Sequence, residues 1–153
     1  MVYEINLQAI REEAAAHYSN GEYYCSEAIV STIRKHFRAD MPPEAIAMAS
    51  GFPVGIGGAK CVCGAVSGGI ICIGFFFGRT TPKDDSVNKA MALSHELHEY
   101  FISQHKVLCC RTLTKDMVLG SESHMKQCAG YTGEIAEKTA MIIARELGIK
   151  TII

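Results

Sequence analysis

Residues 62–77 carry no charged side chain and are almost entirely apolar. The stretch falls short of the ~20 residues that a membrane-spanning helix needs. It is also interrupted by Gly64, Ser67, Gly68, Gly69 and Gly74. An apolar segment that can neither cross a bilayer nor face water has to be wrapped by the rest of its own chain. We therefore expect a buried central helix, about residues 63–77, closed by Gly78. Gly64 and Gly68 lie four apart, as do Gly74 and Gly78, a spacing that lets neighbouring helix backbones come close.

The rest of the chain supplies helical wrapping. No strand-like alternation, repeat or low-complexity tract interrupts it. A first helix over about 6–18 puts Leu7, Ile10, Ala14 and His17 or Tyr18 on one face before Asn20-Gly21. A second, about 22–37, aligns Cys25, Ala28, Ile29, Thr32, Ile33 and His36. A short helix at 44–49 follows Pro42-Pro43. The glycine-rich loop 50–60 feeds Cys61-Val62-Cys63. A long helix over 84–105 has the stripe Val87, Ala90, Met91, Ser94, Leu97 and Phe101. A short piece spans 110–116, a polar loop reaches Lys126, and a last helix runs from Gly130 or Thr132 to Leu147, stopped by Gly148. The expected fold is all-α: residues 1–153 form a single-domain helical bundle around the central apolar, glycine-rich helix. At 153 residues such a domain buries about 68–70% of its unfolded surface and needs no disulfide staples.

Charge narrows the function classes. Lys and Arg number 15 against 16 Asp and Glu, which excludes a nucleic-acid binder that works by phosphate neutralisation. The first residues, Met1-Val2-Tyr3-Glu4-Ile5-Asn6, carry neither a charged region nor an apolar stretch of secretory type, so a cytoplasmic location is expected. Thiols stay reduced there, and clustered cysteines point to redox or metal chemistry rather than to staples.

Seven cysteines are present. Four share one setting, at or near an expected helix start: Cys25, Cys63, Cys110 and Cys128. Unpaired N–H groups and the helix dipole favour a thiolate at such positions. Helical phase puts Cys25 in the stripe of Ile29 and His36, and Cys63 in that of Val66 and Ile70, so the four thiols are expected to point inward and meet. Cys72 lies on the opposite side of the central helix, in the core. Cys61 and Cys109 are neighbours of these candidates. No C-x-x-C spacing occurs, so neither a thioredoxin-type motif nor a zinc ribbon is indicated. Buried cysteines can also simply pack as small hydrophobes, and that reading stays open.

Cys63-Gly64-Ala65-Val66-Ser67-Gly68 resembles the core motif of the redox-active family known as C_GCAxxG_C_C. Tyr24-Cys25-Ser26-Glu27-Ala28 resembles that family's first cysteine block, and residues 49–58 its glycine-rich approach. Leu108-Cys109-Cys110-Arg111-Thr112-Leu113 resembles the third block, and Gln127-Cys128-Ala129 the fourth. The resemblance covers nearly the whole chain and places the family's four cysteines on Cys25, Cys63, Cys110 and Cys128. It implies a small helical redox protein whose substrate is not defined. A related cysteine pattern occurs in split-Soret cytochromes, but no C-x-x-C-H for covalent haem attachment is present here.

Other signals weigh less. His95, His98 and His105 lie along the long helix without the i, i+4 pair of a zinc protease. Gly55-Ile56-Gly57-Gly58-Ala59-Lys60 lacks the Gly-Lys-Ser/Thr of a P-loop. Gly57 and Gly58 are read as backbone that approaches a cofactor or Cys63. Three functions follow. The first is a dithiol/disulfide redox protein with Cys63 as the low-pKa nucleophile and a redox partner. The second is a four-thiolate centre, built by Cys25, Cys63, Cys110 and Cys128, holding an iron–sulfur cluster or transition metal ion. The third is an interaction protein. No membrane span is expected, and a homodimer through the central helix is expected to compete with burial within one chain.

Overall fold

A computed structural model describes residues 2–153. In chain order the elements are β1 (Glu4–Asn6), α1 (Leu7–Ser19), α2 (Cys25–Phe37), α3 (Glu44–Ala47), α4 (Pro53–Ile56), α5 (Gly64–Phe77), α6 (Ser86–His105), α7 (Cys110–Leu113), α8 (Glu122–Leu147) and β2 (Lys150–Ile152). The fold is all-α apart from one small sheet, with α5 packed against α2, α6 and α8. No helix among the described residues is long and apolar enough to cross a membrane.

The wrapping of α5 explains its composition. Within α5 only Ile70, Gly74 and Phe75 are exposed. A Cβ on Gly68 would stand 2.7 Å from the Ser26 carbonyl oxygen, so α2 crosses α5 with backbone against backbone. Ser26, buried at this crossing, sends its hydroxyl to the Ala49 carbonyl at 2.8 Å and so ties α2 to the segment that leads into the glycine-rich loop. Gly69 leaves room for Leu97 of α6 and Thr139 of α8. Gly74 has open space beside it, so the expected close approach at the Gly74/Gly78 end is not made.

Helix faces follow sequence period where the apolar stripe is wide. Leu7, Ile10, Ala14 and Tyr18 of α1 are buried, as are Ala28, Ile29, Thr32 and Ile33 of α2. On α6 the buried residues are Leu93, Leu97 and Phe101, whereas Met91 is 65% exposed. Reading Met91 into that stripe rotated the face by part of a turn, because thin apolar content left the phase to Leu97 and Phe101 alone.

Besides shorter bounds for α2 and α7 and the short helix α4 inside the glycine-rich loop, two larger differences from expectation stand out. The last helix begins at Glu122, not at Gly130 or Thr132, since Ser121 caps it by accepting from the His124 N–H at 3.3 Å. Within the helix, the missing side chain of Gly133 admits the Arg11 carbonyl of α1, 2.8 Å from where a Cβ would stand. Arg11 also pairs with Glu137 across this contact. The small sheet is the second difference. β1 and β2 pair in parallel with Glu4 opposite Lys150, too short a strand pair to leave an alternation in the sequence.

The α2–α5 crossing is testable. Gly68→Ala should destabilise by about 1–3 kcal/mol, because backbone rather than a flexible side chain must give way. Gly74→Ala, in the same helix but in open space, should stabilise by roughly 0.5–1 kcal/mol. Urea denaturation of the two variants checks both signs.

Candidate functional site

The cavity is assembled where four elements end or cross. Cys25 is the first residue of α2, whose start is fixed by Glu27: one carboxylate oxygen accepts from the Tyr24 N–H at 3.1 Å, the other from the Ser50 hydroxyl at 2.8 Å. Cys63 caps α5, and its own N–H donates to the Leu108 carbonyl at 2.9 Å. Cys110 opens α7, with the Thr114 hydroxyl on its carbonyl at 2.8 Å. Cys128 stands in the second turn of α8, where the Thr132 hydroxyl bonds its carbonyl at 2.7 Å. The expectation that Cys128 precedes a helix start is thus corrected, because Ser121 starts α8 early.

The four cysteines line one narrow cavity of about 40 Å³, together with Tyr18, Tyr24, His124 and Tyr131. Gly64 makes their approach possible. A Cβ there would stand 2.6 Å from the Cys25 sulfur and 3.0 Å from the Phe52 carbonyl oxygen. Cys72, by contrast, is 1% exposed in the core and absent from the lining. All seven cysteines are free thiols. Among the described residues, no group of three or more His, Cys, Asp or Glu side chains is placed to hold a metal ion.

The glycine-rich loop forms one wall. Val54, Ile56 and Lys60 adopt positive φ along with Gly55, Gly57 and Gly58. The tight winding brings the Cys61 N–H to the Gly55 carbonyl at 3.2 Å, and a Cβ on Gly55 would collide with the Cys61 nitrogen at 2.3 Å. Val54 and Gly55 face the cavity. Gly57 and Gly58 are exposed and outside its lining, so in this structure they shape the turn and do not face the cysteines.

Electrostatics reverses one expectation. Cys63 does receive the N–H groups of Ala65 and Val66, as its place at a helix start implies, and these favour its thiolate. Burial outweighs them and pushes the thiol up to about 11. Burial likewise raises Cys25, helped by the neighbouring Cys63 and opposed by the Ser26 N–H. Cys110 and Cys128 are raised for the same first reason. Burial among apolar groups thus outweighs the helix-start N–H groups, and Cys63 is not a low-pKa nucleophile. The cysteine held below the usual thiol range is Cys109, chiefly by the N–H of Thr112, with lesser help from Arg111 and the nearby Cys61 thiol.

Three cavity residues were not singled out from sequence as part of a site. Tyr18 stands beside Cys128 and favours its thiolate, while burial raises Tyr18's own pKa. His124 accepts the Gly120 N–H at Nδ1, 3.1 Å away, which leaves the proton of the neutral ring on Nε2. Burial lowers the His124 pKa and keeps that ring neutral. Tyr131 packs edge-on to Phe101 and His105. Only tertiary folding assembles them, although His124 lies three residues after the Ser121 cap. The expected histidine candidates lie elsewhere: His105 bonds Glu134 at 2.7 Å, while His95 and His98 stack at the surface.

No curated protein and no solved structure matches the chain. Residues 23–142 match the family described as "Putative redox-active protein (C_GCAxxG_C_C)", a span that runs from the residues before Cys25 to well beyond Cys128. The chain belongs to the C_GCAxxG_C_C family.

Proposed function

We propose that the cavity cysteines form a two-electron dithiol–disulfide couple, with Cys25 and Cys63 as the exchanging pair. The observation that carries this reading is the convergence of Cys25, Cys63, Cys110 and Cys128, from four separate elements, on one small cavity. Within it the Cys25 sulfur packs against Gly64, the residue that follows Cys63. After burial, Cys63 is the neighbour that acts most strongly on Cys25.

The chemistry suits the surroundings. Two thiols and a disulfide are all uncharged, so both resting states of the couple tolerate the apolar cavity, whereas a thiolate is costly there. In oxidation, Cys25 or Cys63 loses its proton and attacks a disulfide sulfur of a redox partner, expelling one partner thiolate. The second cysteine attacks the mixed disulfide and expels the other. The partner leaves as two thiols carrying the two protons and two electrons, and the protein keeps a Cys25–Cys63 bond. His124, neutral and with its Nε2 proton free to exchange, and Tyr18 beside Cys128 are the cavity groups able to relay the protons. A cavity of about 40 Å³ has room for a few water molecules but not for an organic cofactor. Four sulfurs on one cavity also equal the donor set of a four-thiolate metal or iron–sulfur centre, which here would require the side chains to draw together.

Counting alkylated cysteines by mass spectrometry separates the two. After oxidation with a small disulfide, Cys25 and Cys63 should become protected together and be released by reductant. Cys25→Ser should leave Cys63 free of that link. Recovery of neither cysteine in a disulfide would sink the couple, and joint exposure of all four cavity thiols by a chelator would transfer the site to a metal.

The raised thiols also fix a pH dependence. Their folded-state values exceed the unfolded reference of about 8.5, so the folded state holds its protons longer. The stability they contribute is complete below that value and is lost as pH rises through about 11, the Cys63 value. Urea midpoints should therefore hold steady from neutral pH to about 8.5 and then fall, and Cys63→Ser should flatten the fall. A flat profile up to the Cys63 value in the wild-type protein would mean that the thiols are not desolvated.

A further inference from the structure

Cys61 and Cys109 do not line the cavity. They sit on two segments that are fastened to each other. The Arg111 N–H donates to the Lys60 carbonyl at 2.9 Å, and the Cys63 N–H donates to the Leu108 carbonyl at 2.9 Å. These two bonds run in antiparallel sense, so residues 60–63 lie alongside residues 108–111. Within that frame the Cys109 thiol turns back onto the Lys60 carbonyl at 3.4 Å, the peptide group that joins Lys60 to Cys61. The Cys61 thiol stands beside the Cys109 sulfur. Cys61 is exposed and Cys109 partly so, while the adjacent Cys110 faces the cavity.

We propose that Cys61 and Cys109 form a second, surface dithiol that exchanges with small disulfides, separate from the cavity cysteines. This register sets Cys61 opposite Cys110 with Cys109 one residue along, and it is the turn of the Cys109 thiol onto the Lys60 carbonyl, one bond from the Cys61 nitrogen, that brings the two thiols within reach of each other. Cys61, the exposed member, is the sulfur that a small disulfide reaches. Its thiolate attacks one sulfur and expels the first small thiolate, leaving a mixed disulfide on Cys61. Cys109, already held against the Cys61 peptide, then attacks the Cys61 sulfur and expels the second small thiolate. The protons of Cys61 and Cys109 end on the two small thiols, and two electrons pass from the protein pair to the disulfide that entered. The new bond staples together the two segments that carry Cys63 and Cys110. The site does not depend on the cavity chemistry, since neither of its sulfurs faces the cavity.

Reduced full-length protein treated with oxidised glutathione at neutral pH should release two glutathione molecules for each Cys61–Cys109 bond formed. Peptide mapping should recover that cross-link. In Cys109→Ser, one glutathione should remain on Cys61 as a stable mixed disulfide; in Cys61→Ser, no cross-link to Cys109 should form. The Cys25→Ser variant, which lacks one half of the cavity pair, should still form the surface bond, so failure of either pair is read separately. Recovery of Cys61 bonded to Cys110, or of Cys61 and Cys109 each carrying its own glutathione in the wild-type protein, would overturn the proposal.

Discussion

The backbone contact between α2 and α5 is the constraint on which the rest of the molecule depends. It exists because Gly64 and Gly68 present no side chain to α2, so the Cys25 sulfur and the Ser26 backbone settle where Cβ atoms would otherwise stand. The same pair of glycines therefore does two jobs. Gly68 sets how closely the helices cross, and Gly64 sets how close the first cysteine of one helix comes to the capping cysteine of the other. An apolar helix with larger residues at these positions would still be buried, but it would hold Cys25 away from Cys63. Packing and chemistry are joined at this crossing, and the glycines of the family motif are as much part of the site as its cysteine.

Competition between desolvation and hydrogen bonding then decides what each thiol is. Every cavity cysteine is raised, even Cys63 with two backbone N–H groups aimed at it. Cys109, with comparable N–H partners but near solvent, is lowered. The local backbone setting is similar; burial differs. Helix-start placement is thus a rule about position in space, and its effect on a thiol depends on how much water the fold leaves beside it.

That distinction also explains what could be read from the sequence. The uncharged stretch at 62–77 had to be a wrapped helix, and period placed the buried faces of α1 and α2, because these signals are local and strong. Four cysteines in similar local settings pointed to convergence, and all four line the cavity. What sequence could not supply was depth. The sign of the thiol shifts is set by burial, and the cavity walls include Tyr18, Tyr131, Val54 and Gly55, which arrive from distant parts of the chain. The start of α8 was missed for a different reason: residues before Gly130 read as a polar loop, and the Ser121 cap that starts the helix lies inside that stretch. The short parallel pair β1–β2 joins the two ends of the chain, a contact with no periodic trace.

The seven thiols form a graded series from solvent to core. Cys61 is exposed, Cys25, Cys109, Cys110 and Cys128 are partly exposed, Cys63 is 8% exposed, and Cys72 is closed off at 1%. Cys72 has no charged or thiol neighbour acting on it, and burial alone raises it. It shows what a packed cysteine looks like here, and the cavity cysteines differ from it by sharing a void with one another. The gradient passes through one place, the paired segments 60–63 and 108–111, where cysteines that face outward alternate with cysteines that line the cavity. The hydrogen bonds between Lys60 and Arg111 and between Cys63 and Leu108 therefore hold the outward pair and two of the cavity cysteines in one frame, so that a change at either pair is felt by the other.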